Sequence, residues 1–164
     1  MPLHERLAVQ PIEPRHAGAL GALLRRIESF TADEIACALE VFGRAAETGN
    51  REYIGLVAAA GTGVVGAVAY GQTPMTEGTY DLYWIACDPA RQRTGVGTAL
   101  LGAMEDDLRR RGARLLRVET SGTPAYQPTR AFYGRFGYRE TARLPDFYRP
   151  GDDLVIFTKR LGIG

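Results

Sequence analysis

Between an apolar run and an amphipathic helix the chain places Gln92-Arg93-Thr94-Gly95-Val96-Gly97-Thr98. A helix start offers backbone N–H groups with no partner inside the helix, together with the positive end of the helix dipole. Gly95 and Gly97 let the backbone approach a ligand without a Cβ in the way, and Arg91 and Arg93 bring mobile positive charge to the rim. That combination suits a pyrophosphate. Taken alone, the loop also fits a plain polar strand-to-helix turn whose two glycines serve geometry. The Gly-Lys-Ser/Thr of a nucleotide-triphosphate loop is missing, and the first strand carries no dinucleotide glycine fingerprint.

Periodicity predicts the elements that must hold this loop. Arg6–Ile12 reads as a strand, and Pro14 opens a short helix with Leu20, Leu23, Leu24 and Ile27 on one side. Phe30–Phe42 reads as a second helix: Thr31 and Glu34 form a capping-box pair, and Ile35, Ala38, Leu39 and Phe42 make its apolar face. Glu52–Ala60 and Gly63–Gly71 read as strands joined by a tight turn around Gly61-Thr62-Gly63, and Thr79–Cys87 is strongly β-prone. The helix after the glycine loop buries Val96, Leu100, Ala103, Met104 and Leu108 and ends at Gly112. Ala113–Thr120 is a further strand and Thr129–Phe136 a short helix, and Tyr138–Leu144 with Asp153–Lys159 form a closing β-pair. Strands and helices interleave without a linker, predicting one α/β domain over residues 1–164.

Composition narrows the function classes. At 164 residues and 45% apolar, the chain suits a single well-buried core. A net charge of +1 gives no strong field toward nucleic acid or membrane. Arg109-Arg110-Arg111 reads as a solvated helix end that complements the dipole, not as a nucleic-acid patch. Two cysteines, Cys37 and Cys87, make no disulfide framework, and neither a signal-peptide run nor a bilayer-spanning stretch is present. A reduced, cytoplasmic setting is expected, with no nucleic-acid or membrane partner and no metal; a homodimer is left open.

A second motif follows downstream, where Ala131-Phe132-Tyr133 lies on a short helix that Gly137-Tyr138 ends. With both motifs in this order and on these elements, the chain from about Leu7 to Leu161 resembles the GCN5-related N-acetyltransferase (GNAT) superfamily. The resemblance implies an α/β fold with a mixed, mostly antiparallel central sheet of about seven strands and about four helices, the strands splayed at the acetyl-CoA site. It implies acetyl-CoA as co-substrate, with its pyrophosphate wrapped by Gln92, Arg93, Thr94, Gly95, Val96, Gly97 and Thr98. Ile85, Ala86 and Cys87 would pair their backbone with the pantetheine arm, and an N–H of Ile85 or Ala86 would face the thioester oxygen. The implied reaction is N-acetylation of a primary amine, in a small molecule or peptide, by direct attack in a ternary complex. A non-catalytic module that binds acyl-CoA and regulates a partner is the alternative.

Acetyl transfer also needs a protonated leaving sulfur and a neutral amine. A thiol titrates near ~8.5 and a phenol near ~10, so a tyrosine can donate to the departing thiolate, and the resemblance puts Tyr133 in that role. If Phe132 fills the core, Tyr133, about 100° further round the helix, turns toward the cleft. For the base, Asp81 stands eleven residues before Gln92, the spacing of the strand carboxylate in histone-type members, with Glu119 on the next strand as its rival. Cys87 has no partnered histidine and reads as buried and apolar; His4 and His16 receive no role. Two departures stand out. No asparagine precedes the tyrosine helix, where Ser121, Tyr126 or Thr129 could supply the polar contact, and Arg117 occupies the place of a glutamate found in N-terminal acetylases. Phe30 and Tyr148 are expected to bind the acceptor within a rim that includes Phe147, Asp146, Asp152 and Asp153.

Overall fold

The computed structural model of the chain describes residues 6–61 and 63–162, so His4 and Thr62 lie outside the described residues. Among these, seven strands and four α-helices follow one another: β1 (Ala8–Pro11), α1 (Ala17–Arg25), α2 (Ala32–Ala45), β2 (Ile54–Ala60), β3 (Gly63–Gln72), β4 (Thr79–Cys87), α3 (Val96–Arg110), β5 (Leu115–Ser121), α4 (Gln127–Arg135), β6 (Arg139–Arg149) and β7 (Asp152–Arg160). The sheet order is β1-β2-β3-β4-β5-β7-β6. β1–β2, β2–β3, β5–β7 and β6–β7 pair antiparallel, while β4–β5 is parallel. This is the mixed, mostly antiparallel α/β sheet expected.

The chain divides into two compact units, one holding residues up to Gly71 with Trp84–Leu108 and the other Gln72–Tyr83 with Arg109–Gly164. In the first, α1 and α2 bury Leu20, Leu23, Leu24, Ala38 and Phe42 in one cluster with Val57, Ala67 and Ala86 of the strands. The capping box is formed as expected: Thr31 accepts from the Glu34 backbone N–H at 3.2 Å and Glu34 accepts from that of Thr31 at 2.7 Å. Gly66 on β3 brings α3 in close. A Cβ there would stand 2.7 Å from a Val96 methyl and 3.0 Å from the Ala86 carbonyl, so only glycine admits the first turn of α3 at this height. Ala103 is only half-buried, and Leu101 and Glu105 join the buried side of α3 instead.

In the second unit the β4–β5 ladder pairs Thr79–Leu82 with Leu115–Val118, whereas β4 continues to Cys87 and β5 to Ser121. The closing hairpin is longer than periodicity predicts, because Leu144 pairs with Leu154 and Arg149 with Asp152. Residues 145–148 therefore bulge opposite Asp153 alone. Three hydrogen bonds hold the bulge: the Asp146 N–H and the Arg143 guanidinium donate to the Asp153 carboxylate, and the Gly151 N–H donates to Asp146 at 2.7 Å.

Candidate functional site

The glycine loop is built as a series of three-residue steps from Asp88. Its backbone N–H donates to Val65 at 2.8 Å, and its carbonyl receives the Arg91 N–H at 2.8 Å. The Arg91 carbonyl in turn receives the Thr94 hydroxyl at 2.6 Å, and the Gly95 carbonyl opens α3 by accepting from Ala99 at 2.9 Å. The Asp88 carboxylate fixes the start of this run. One oxygen takes the Ala90 N–H at 3.0 Å and the other the Arg26 guanidinium at 2.8 Å. Arg93 and Gly95 both lie in the left-handed region, at φ 62° and 88°. For Gly95 this conformation is unstrained, and the space where a Cβ would stand is open. Gln92, Arg93, Thr94, Gly95 and Thr98 are exposed, whereas Val96 turns inward and Gly97 is half-buried. Backbone donors at an exposed helix start, with no side chain covering them at Gly95, fit a pyrophosphate.

Sequence reasoning missed Asp88 and Arg26. An Asp-Pro step before a turn is the local signal for the first; nothing local marks Arg26, 62 residues away.

Ile85, Ala86 and Cys87 form the end of β4, where Ala86 is buried and its neighbours half-buried. Burial pushes the Cys87 thiol up to about 11, in keeping with an inert side chain. Phe30 packs edge-on against Trp84, ring centres 5.5 Å apart, and is a partly buried member of the edge of the first unit's cluster.

In the second unit, strand pairing sorts the remaining candidates onto two faces. Asp81 and Arg117 are Cα partners, and the Arg117 Nε donates to Asp81 Oδ1 at 2.6 Å. Asp81 Oδ2 accepts the Thr73 hydroxyl at 2.7 Å. Glu119, two residues along β5, shares the face of Arg117, and its Oε1 stands 3.7 Å from Nη1, within ion-pair range but beyond hydrogen-bonding distance. The bond to Asp81 pushes the Arg117 guanidinium further above its ordinary range. Of the two carboxylates expected as base, Asp81 is thus committed through both oxygens and nearly buried, while Glu119 has 43% of its side chain exposed. Arg117 is what sequence reasoning passed over except as a departure; a lone arginine inside Leu-Leu-Arg-Val-Glu is its only local signal.

Tyr133 lies on the opposite face of β5 and β7. It packs at 6.0 Å from Phe157, whose Cα partner is Val118, and at 5.6 Å from Tyr138. The expected division between the two helix aromatics is reversed: Tyr133 is the buried residue of α4, at 3% exposure, and Phe132 is half-buried. Phe132 instead packs on Phe136 at 4.9 Å, because α4 turns the Tyr133 side of its surface onto the sheet.

The acidic residues of the expected rim have local partners: Asp146 and Asp153 hold the bulge, and Asp152 accepts the Ser121 hydroxyl at 2.6 Å. What the bulge presents outward is aromatic, with Phe147 and Tyr148 exposed and edge-to-face at 5.1 Å. Among the described residues, no cluster of three or more His, Cys, Asp or Glu side chains is placed to hold a metal ion. None of the helices described is long and apolar enough to cross a membrane.

Comparison with known proteins agrees with the fold. The profile of the Acetyltransferase (GNAT) family matches residues 22–138. A GNAT-family protein of known structure from Desulfovibrio desulfuricans is 39% identical, with 96% of this chain and 100% of that one covered and a TM-score of 0.91. The ribosomal protein bS18-alanine N-acetyltransferase of Escherichia coli is 34% identical over 90 residues, 55% of this chain and 58% of that one. The chain spans about half the length of the curated relatives it matches. An aminoglycoside 6′-N-acetyltransferase solved with coenzyme A shares the fold at 18% identity and a TM-score of 0.74, covering 94% of this chain and 97% of that one.

Proposed function

Because the chain belongs to the GNAT acetyltransferase family, we propose that it transfers an acetyl group from acetyl-CoA to a primary amine, of a small molecule or peptide, in a ternary complex. The observation that supports this reading is the Asp88–Thr98 segment, whose hydrogen-bonded steps lead to an exposed, open glycine at the start of α3, where a helix's first N–H groups have no partner within the helix. Gln92 to Thr98 would hold the pyrophosphate, and the β4 backbone at Ile85, Ala86 and Cys87 the pantetheine arm. The co-substrate brings an activated acetyl carbonyl and a sulfur leaving group.

This chain's own residues then have three tasks. An N–H of Ile85 or Ala86 donates to the carbonyl oxygen as negative charge develops there. Glu119, the open carboxylate, removes the first proton of the acceptor ammonium, directly or through water, while Asp81 anchors Arg117. Tyr133 gives its phenolic proton to the departing sulfur. As the new N–C bond forms and the C–S bond breaks, the amine loses a second proton, which replaces the one taken from Tyr133. Tyr133 and Glu119 lie on opposite faces of the sheet, an arrangement suited to a donor and an acceptor that approach from opposite sides. A cytoplasmic setting, where acetyl-CoA is made and used, fits this chemistry.

The test is calorimetric titration with CoA, followed by thiol release from acetyl-CoA across a panel of amines. Binding with amine-dependent release is expected. Binding without turnover on any amine would leave a non-catalytic acyl-CoA module, and no binding would overturn both readings.

A further inference from the structure

We propose that Arg117 and Glu119 form a recognition site for the charged head of an α-amino acid, making the acceptor a free α-amino acid; this rests on the acetyl-transfer reading. Both side chains leave the same face of β5, two residues apart. The guanidinium is held in place from behind, since Nε is bonded to Asp81, which is itself buried and bonded to Thr73. Among the described residues Nη1 and Nη2 have no hydrogen-bond partner, and 39% of the Arg117 side chain is exposed. A fork fixed at one edge and open at the other is pre-organised for a carboxylate.

The spacing fits the ligand. Nη1 and Glu119 Oε1 are 3.7 Å apart, too far to satisfy each other by a hydrogen bond. From standard bond lengths, an α-amino acid carries its ammonium nitrogen and nearer carboxylate oxygen about 3 Å apart. Its carboxylate can therefore take N–H bonds from the Arg117 fork while its ammonium donates to Glu119, the group placed to remove the proton.

The experiment compares each of a set of L-α-amino acids with its decarboxylated amine and with a dipeptide bearing it at the N-terminus, by kcat/KM for thiol release. Amino acids are expected to lead by about 10–100-fold, the worth of a charge-assisted hydrogen-bonded pair. Arg117→Met should compress that lead by about tenfold or more. Because this variant strands the Asp81 carboxylate, the pair Asp81→Asn with Arg117→Met is made as well, and it must show the same compression. Arg117→Lys, which keeps the charge and loses the fork, should compress it in part. If amines or dipeptides lead in the parent, or if the lead survives in the double variant, the proposal is overturned while acetyl transfer stands. Should no amino acid be acetylated although CoA binds, the proposal likewise fails. Loss of CoA binding itself would instead sink the underlying reading.

Discussion

Arg117 and Asp81 are partners in the parallel β4–β5 ladder, 36 residues apart in sequence, and their side chains close that pairing with a 2.6 Å hydrogen bond. Because Asp81 is buried and the guanidinium partly exposed, removing one partner costs more than removing both. Arg117→Met should destabilise the fold by about 1–3 kcal/mol, and adding Asp81→Asn should recover a good part of it. Denaturant unfolding of the two single variants and the double variant checks this. Additive losses would mean that the pair is not coupled in solution.

Gly95 combines φ of 88° with open space, so a methyl group there meets no atom and its cost comes from the backbone alone. Gly95→Ala should lose about 1 kcal/mol or slightly more. It should also bind CoA more weakly, because relaxing the backbone at Gly95 moves the helix start that the proposed pyrophosphate site uses. Gly18 in α1 is the control: its added Cβ also meets nothing, but its backbone is helical, and Gly18→Ala should stabilise by about 0.4–1 kcal/mol. Calorimetric CoA affinity unchanged in Gly95→Ala would remove the loop from the binding site.

Asp88 ties the loop to α1 through Arg26 and begins its hydrogen-bonded steps. Asp88→Ala is expected to weaken CoA binding by about tenfold, equivalent to one charged hydrogen bond, while Arg26→Gln has a smaller effect because Arg26 is half-exposed. Retained affinity in Asp88→Ala, with lowered melting temperature, would make the aspartate a purely structural residue.

The parts of this molecule legible in its sequence are those governed by neighbours. The Thr31–Glu34 capping box and the start of α3 just after Gly95 are decided within a few residues, and both stand where the local pattern puts them. What escapes depends on register. The partnership of Asp81 with Arg117 follows from how β4 and β5 align in parallel, and no local pattern encodes that offset. The bulge at residues 145–148 is hidden for a different reason. Pro150-Gly151-Asp152 reads as ordinary turn chemistry, whereas Asp146, a few residues earlier, sits at φ 54° inside a strand held by carboxylate bonds. The orientation of α4 likewise depends on Phe157 and Tyr138, which receive Tyr133 rather than Phe132.

Cys87 provides a pH test. Its thiol is raised from the ordinary 9.0 to about 11 by burial, so the folded chain holds that proton more tightly than the unfolded chain. The associated stability is fully present below pH 9 and is lost as pH rises toward about 11, amounting to about 2–3 kcal/mol. Cys87→Ala should flatten this part of the stability–pH curve. At pH 7.5 iodoacetamide should modify exposed Cys37 and leave Cys87 intact in the native protein. Equal labelling of the two would show that the end of β4 is open to reagent.

Tyr133 is enclosed by Phe132, Tyr138 and Phe157, with ring centres at 5.7, 5.6 and 6.0 Å, and only 3% of it is exposed. Removing the hydroxyl leaves those ring contacts in place, so Tyr133→Phe should fold with a stability change of about 1 kcal/mol or less. The catalytic effect separates from this. General acid catalysis contributes ~10²–10⁴ in rate, and because a thiolate already leaves readily, the loss should sit near ~10². It should appear in turnover at saturating acetyl-CoA, with CoA affinity nearly unchanged, since in the proposed role the phenol acts on the sulfur only as the C–S bond breaks. A role in packing alone predicts stability and turnover both close to those of the parent, because phenylalanine keeps the ring contacts. Measuring both on Tyr133→Phe, with an acceptor from the amine panel and chemistry limiting the rate, decides between them. Parent-like turnover would leave Tyr133 as a core aromatic and the leaving sulfur to solvent.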